Sequence, residues 1–103
     1  MPGGASPKNK GYRYETELRL DLTASGFVNC RRVPLSGAGE EKDDVTFLTG
    51  WGEQERIEAK RRKALPSYLT EALGNGATAV AFREDRGKTF VLITWDRYKE
   101  LCQ

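Results

Sequence analysis

Two glycines that bracket a single tryptophan, Gly50-Trp51-Gly52, constrain this chain more than any other feature. Before them runs Asp44-Val45-Thr46-Phe47-Leu48-Thr49, and after them Glu53-Gln54-Glu55-Arg56-Ile57-Glu58-Ala59-Lys60. A short Gly-containing connection between β-rich runs predicts one β-hairpin over residues 44–60. Folded symmetrically about Trp51, it sets Asp44 opposite Glu58 and Val45 opposite Ile57. Strand side chains alternate between faces. Val45, Phe47, Ile57 and Ala59 therefore make a core face, while Asp44, Thr46, Arg56, Glu58 and Lys60 make the other.

Opposed carboxylates ~5 Å apart repel by roughly 3 kcal/mol at an effective dielectric of about 20. Lys60, two residues along the same face, offsets ~2 kcal/mol of that at ~7 Å. A divalent cation does so more fully, and Mg²⁺ takes oxygen ligands together with water. A salt-bridged face on an exposed sheet is the equal alternative on these residues alone.

What chemistry remains open is narrowed by what the sequence lacks. There is no histidine among the 103 residues. Ser-His-Asp triads, Cys-His pairs, His-ligated zinc and imidazole acid/base chemistry are thereby removed together. Carboxylates, lysine and a hard metal must carry any catalysis. Cys30 and Cys102 are too few and too far apart for a zinc pattern and read as reduced thiols. No apolar run is long enough to span a bilayer, and the start lacks an apolar signal region, so an intracellular protein with no membrane partner is expected. The length suits a single domain with one modest core. Hydrophobic residues at 38% and charged residues at 31% suit a soluble domain with a heavily charged surface. Net charge is only +2, but Arg56, Lys60, Arg61, Arg62 and Lys63 form a basic block behind the acidic pair, with Arg31 and Arg32 earlier. Such blocks suit phosphate contacts as well as a solvated surface.

In chain order, residues 1–10 hold Pro2, Gly3, Gly4 and Pro7 and read as a mobile tail offering Lys8 and Lys10. The domain then occupies 11–103. Tyr14, Leu18 and Leu22 recur at helical spacing over 11–25, with Gly26 placed as a C-terminal cap. Leu18, Leu20 and Leu22 also alternate as a strand would. On the helix, Glu15 borders the apolar stripe, a position from which most glutamates reach back to water. Residues 27–33 read as a strand. Pro34 to about Asp43 reads as a flexible loop containing Ser36-Gly37. After the hairpin, Pro66 opens a short helix to Leu73, stopped by Gly74-Asn75-Gly76. Residues 77–83 and 88–94 read as strands joined by the turn Glu84-Asp85-Arg86-Gly87. Phe90-Val91-Leu92-Ile93 is the longest apolar run and reads as a buried strand. Residues 96–101 close with a helical turn or two. The expected class is α/β in the order α-β-β-β-α-β-β-α, with no internal repeat.

These motifs in this order resemble the PD-(D/E)xK nuclease superfamily, and within it most closely the archaeal-type Holliday-junction resolvases. The resemblance runs over residues 11–94. It rests on Gly11, Glu15, Gly26 and Phe27, on Arg31 or Arg32, on Ser36-Gly37, on Asp44-Val45, and on Ile57-Glu58-Ala59-Lys60. The chain departs from the pattern at Asp43, where proline is frequent, and at the bulky Tyr12-Arg13-Tyr14. The helix after the acid-x-lysine strand is also short.

The resemblance implies a restriction-endonuclease-like core, with a central mixed sheet of about five strands flanked by helices. It implies that Asp44, Glu58 and the backbone carbonyl of Ala59 hold Mg²⁺, with Mn²⁺ as a substitute. Glu15 would complete the acidic cluster directly or through water. Lys60 would orient or activate the attacking water, and Ser36 would contact the scissile region. Arg31, Arg32, Arg61, Arg62 and Lys63 would contact DNA phosphates. The implied activity is hydrolysis of phosphodiesters in branched DNA during recombination and repair. A homodimer would make paired nicks in four-way junctions, in the cytoplasm or on the nucleoid. The alternatives are a superfamily nuclease of repair or restriction type acting on flaps, nicks or duplex, and a non-catalytic DNA-binding module with this fold.

Overall fold

Helical spacing prevails over strand alternation at the start of the chain. The computed structural model describes the backbone of residues 7–34 and 43–103, and the side chains of 13–32 and 45–103. Helix α1 spans Pro7–Ala24. It begins earlier than the expected tail allows, and Pro7 fits a first helical position because the N–H it lacks would go unbonded there anyway. The helix continues through Gly11, whose cost of ~1 kcal/mol in a helix interior does not end it. Residues 1–6 of the expected tail lie outside the described residues.

Leu18 and Leu22 are buried while Leu20 is exposed, the outcome of a 3.6-residue period. The helix ends in a Schellman motif. Phe27 N–H donates to Leu22 O at 3.1 Å and Gly26 N–H to Thr23 O at 3.1 Å. Gly26 adopts φ +96°, which only glycine reaches without strain. The motif delivers Phe27 into the core, where its ring meets Phe47 edge-on, with centroids 5.0 Å apart.

Strands β1 (Val28–Pro34), β2 (Asp43–Leu48) and β3 (Gln54–Glu58) form one antiparallel sheet in that order. The hairpin register is the expected one, with Asp44 opposite Glu58 and Val45 opposite Ile57. Thr49 holds its tip. Its N–H donates to Glu53 O at 2.8 Å, and its hydroxyl accepts from Glu53 N–H at 3.0 Å. In β1 the pairing slips by one residue between Val28 and Arg31, opposite Leu48 and Thr46. Asn29 sits in this bulge at φ +55°, a left-handed conformation that asparagine tolerates. In the central strand β2, Thr46 is buried along with Val45 and Phe47.

The chain divides into two compact units, Met1–Arg61 with Gln103, and Arg62–Cys102. The second contains α2 (Ser67–Gly74), β4 (Val80–Phe82), β5 (Phe90–Leu92) and α3 (Trp95–Cys102). Helix α2 repeats the Schellman ending of α1. Ala77 N–H donates to Ala72 O at 3.0 Å and Gly76 N–H to Leu73 O at 3.4 Å, with Gly76 at φ +104°. The Thr94 hydroxyl caps α3 by accepting from Arg97 N–H at 3.3 Å.

The element order matches expectation, and the fold is a small α/β arrangement. The strands form two antiparallel sheets, of three and two strands, instead of joining in one mixed sheet. The expected burial of residues 90–93 is corrected, since Phe90 and Val91 are 59% and 60% exposed. Among the described residues, strand β5 pairs only with the three-residue β4, and a two-stranded sheet covers little apolar area.

Candidate active site

Residues that pair across antiparallel strands share a face, so the register sorts the candidate residues into rows. Arg32, Val45 and Ile57 form one row. The adjacent row, on the opposite face, is Val33, Asp44 and Glu58. Next on that same face comes Arg31, Thr46 and Arg56. Val45 and Phe47 face the side on which α1 buries Leu18 and Leu22.

Glu15 lies within the buried stripe of α1, three residues before Leu18, and is only 3% exposed. It does not reach back to water. Its Oε2 accepts from Arg32 Nε at 3.0 Å. This charge-assisted bond ties α1 to β1 on the helix-covered face. Arg32 therefore holds the buried carboxylate, and 34% of its side chain remains exposed.

Glu58 belongs to the opposite face and is 53% exposed, with its Oε1 3.0 Å from Lys60 Nζ. Lys60 lies just past the end of β3. It reaches back along the chain to Glu58, as the two-residue spacing requires. Asp44 is placed by its backbone alone, directly across from Glu58 in β2. Its side chain, like Ser36 and the loop around it, lies outside the described residues. Ala59 is half-buried beside the pair, while Arg31, Arg61, Arg62 and Lys63 are exposed. Arg61 belongs to the first unit, and Arg62 and Lys63 to the second.

The structure thus joins Glu15 to Arg32 and Glu58 to Lys60, and sets Asp44 across from Glu58. By register, Arg32, the partner of Glu15, belongs to the face of the sheet opposite that of Glu58. Among the described residues, no three acidic or thiol groups gather to hold a metal ion. The donors that the resemblance assigns to the Asp44–Glu58 row are two carboxylates and the Ala59 carbonyl. An all-oxygen set of this kind fits a hard cation such as Mg²⁺. Glu15, engaged by Arg32 on the other face, is set apart from it.

No family model, curated protein or solved structure matches this chain. Among the described residues, no helix is long and apolar enough to cross a membrane.

Arg56 lies beside the acidic pair. In the sequence it counts in the basic block but receives no role of its own. Its parity with Glu58 was the available signal, and the register makes it the third member of the row beside the acidic pair.

Proposed function

We propose that this chain is a metal-dependent endodeoxyribonuclease of the PD-(D/E)xK kind, acting on branched DNA, with four-way junctions as the preferred substrate. The observation that carries the reading is the Asp44–Glu58 register with Lys60 Nζ held 3.0 Å from Glu58 Oε1. Two carboxylates opposed across a strand pair favour a nearby cation, and a divalent ion held between them would add to the charge that Lys60 supplies. The element order α1-β1-β2-β3-α2-β4-β5-α3 is compatible with a restriction-endonuclease-like core.

Asp44, Glu58 and the Ala59 carbonyl would hold the ion, which when bound supplies Lewis-acid polarisation of a phosphoryl oxygen. The Lys60 ammonium stands beside the same carboxylate. There it can donate to the attacking water and to the negative charge that builds on the phosphoryl oxygens. Glu15 acts here through Arg32: it fixes β1 against α1 and so fixes the row that ends at Asp44 and Glu58. Arg31, Arg61, Arg62 and Lys63 would bind backbone phosphates, which position DNA without reading its sequence. One such site cuts one strand, so paired nicks in a junction require a homodimer.

The test uses labelled four-way junctions, flaps and linear duplex, with Mg²⁺ or Mn²⁺ and with chelator. Paired nicks confined to the junction and abolished by chelator are expected. Cutting of flaps or duplex instead makes this a repair-type or restriction-type nuclease. Absence of cutting on every substrate with either metal removes the enzymatic reading.

A further inference from the structure

We infer that Arg31 and Arg56 form a two-arginine clamp for a DNA backbone phosphate, next to the Asp44–Glu58 pair. The inference deepens the nuclease reading and rests on it.

Arg31 and Arg56 are both opposite Thr46, one on each flanking strand. Two strand spacings put their backbones ~10 Å apart, within the combined reach of two arginine arms converging over Thr46. Both arginines are exposed, while Thr46 between them is 6% exposed. The aliphatic stems of its two cross-strand neighbours are in place to cover it. The planar donors of an arginine match phosphate oxygens in pairs.

The row lies on the same face as Asp44 and Glu58, two residues along the strands, or ~7 Å. That step is comparable to the spacing of neighbouring phosphates on one DNA strand. A strand with one phosphate at Asp44 and Glu58 would therefore set the next one over Thr46. The charge on the face supports the same conclusion. By register Arg31 and Arg56 share the face of Asp44 and Glu58, and Lys60 reaches Glu58, so cations outnumber carboxylates before any metal is added.

Of the two consecutive arginines in β1, only Arg31 serves this face. The bulge at Asn29 sets the parity, and it turns Arg32 to the helix side, where its Nε bonds Glu15. The competing role for the clamp residues is neutralisation of Asp44, their diagonal neighbour at ~7–8 Å. Neutralisation predicts no loss of phosphate contacts when Arg56 is replaced.

The experiment measures binding of the full chain to a fluorescein-labelled four-way junction by anisotropy, in EDTA, over a range of KCl. Arg56→Gln and Arg31→Gln are each expected to flatten the slope of log K against log salt by about one, and the double variant by about two. Arg56→Lys should keep the slope, and the control Arg97→Gln on α3 should leave it unchanged. Circular dichroism confirms that each variant folds. An unchanged slope in folded Arg56→Gln, or no binding by the wild type, overturns the clamp. Binding with the expected slopes but no cutting keeps the clamp and removes the nuclease reading. Cutting with an unaltered slope in Arg56→Gln does the reverse.

Discussion

Arg32 Nε lies 3.0 Å from Glu15 Oε2, and that carboxylate is 3% exposed. The pair joins residues 17 positions apart and locks α1 onto β1. A buried carboxylate stripped of its guanidinium partner is more harmful than one exchanged for a neutral amide. Arg32→Met should therefore destabilise by about 2–3 kcal/mol, below the ~3–5 of fully buried pairs because Arg32 is partly exposed. Glu15→Gln keeps an acceptor for Arg32 and should cost ~1 kcal/mol. Glu15→Leu combined with Arg32→Met should recover much of the loss. Urea midpoints at constant m check the ordering. If Glu15→Gln costs more than Arg32→Met, and cutting vanishes with it, Glu15 instead serves the metal directly.

The acidic pair behaves oppositely. Glu58 is 53% exposed, so Glu58→Gln should alter stability by no more than ~0.5 kcal/mol. Loss of cutting should nevertheless be roughly a hundredfold or greater, as should that in Asp44→Asn and Lys60→Met. Single-turnover cleavage, read beside junction binding in chelator, separates the effects. Binding retained with cutting lost is expected. Loss of folding in Glu58→Gln or Asp44→Asn would make these structural carboxylates.

Much of this arrangement is legible in the sequence, for identifiable reasons. The register of 44–48 on 54–58 follows from a two-residue period bracketed by glycines, so Asp44 meets Glu58 as expected. Helices α1 and α2 are each followed by a glycine at the position that needs a positive φ. The burial of Glu15 was not legible, because it depends on a partner 17 residues away. Nor does periodicity reveal which arginine faces which side, since the bulge at Asn29 resets the alternation of β1. Residues 90–93 mislead for a different reason. A continuous apolar run shows that cover is favourable, whereas burial depends on neighbours that the two-stranded β4–β5 sheet does not itself supply.

The bulge makes its own prediction. Asn29 is held at φ +55°, where a β-branched side chain is strained by roughly 1–2 kcal/mol. Asn29→Val should lower the urea midpoint accordingly, and Asn29→Gly should leave it nearly unchanged. Because the bulge sets the parity of Arg31 and Arg32, Asn29→Val should also weaken junction binding if strain moves the bulge. Equal stability of the valine and glycine variants would show that the left-handed backbone is not required there.

The hairpin tip is coupled to the far end of the sequence. A Cβ built on Gly50 would collide with the main chain of Gln103, which packs against the glycine within the first unit. Gly50 does not adopt a positive φ, so its own backbone tolerates alanine. Gly50→Ala should therefore destabilise only by displacing Gln103. In a chain lacking Gln103 the same substitution should be neutral, or stabilising by ~0.5 kcal/mol through a less flexible unfolded state. A double-mutant cycle on urea midpoints measures the coupling directly. A coupling near zero would mean that Gln103 does not rest on the tip, and the penalty of Gly50→Ala would then have to lie in the Thr49–Glu53 turn itself.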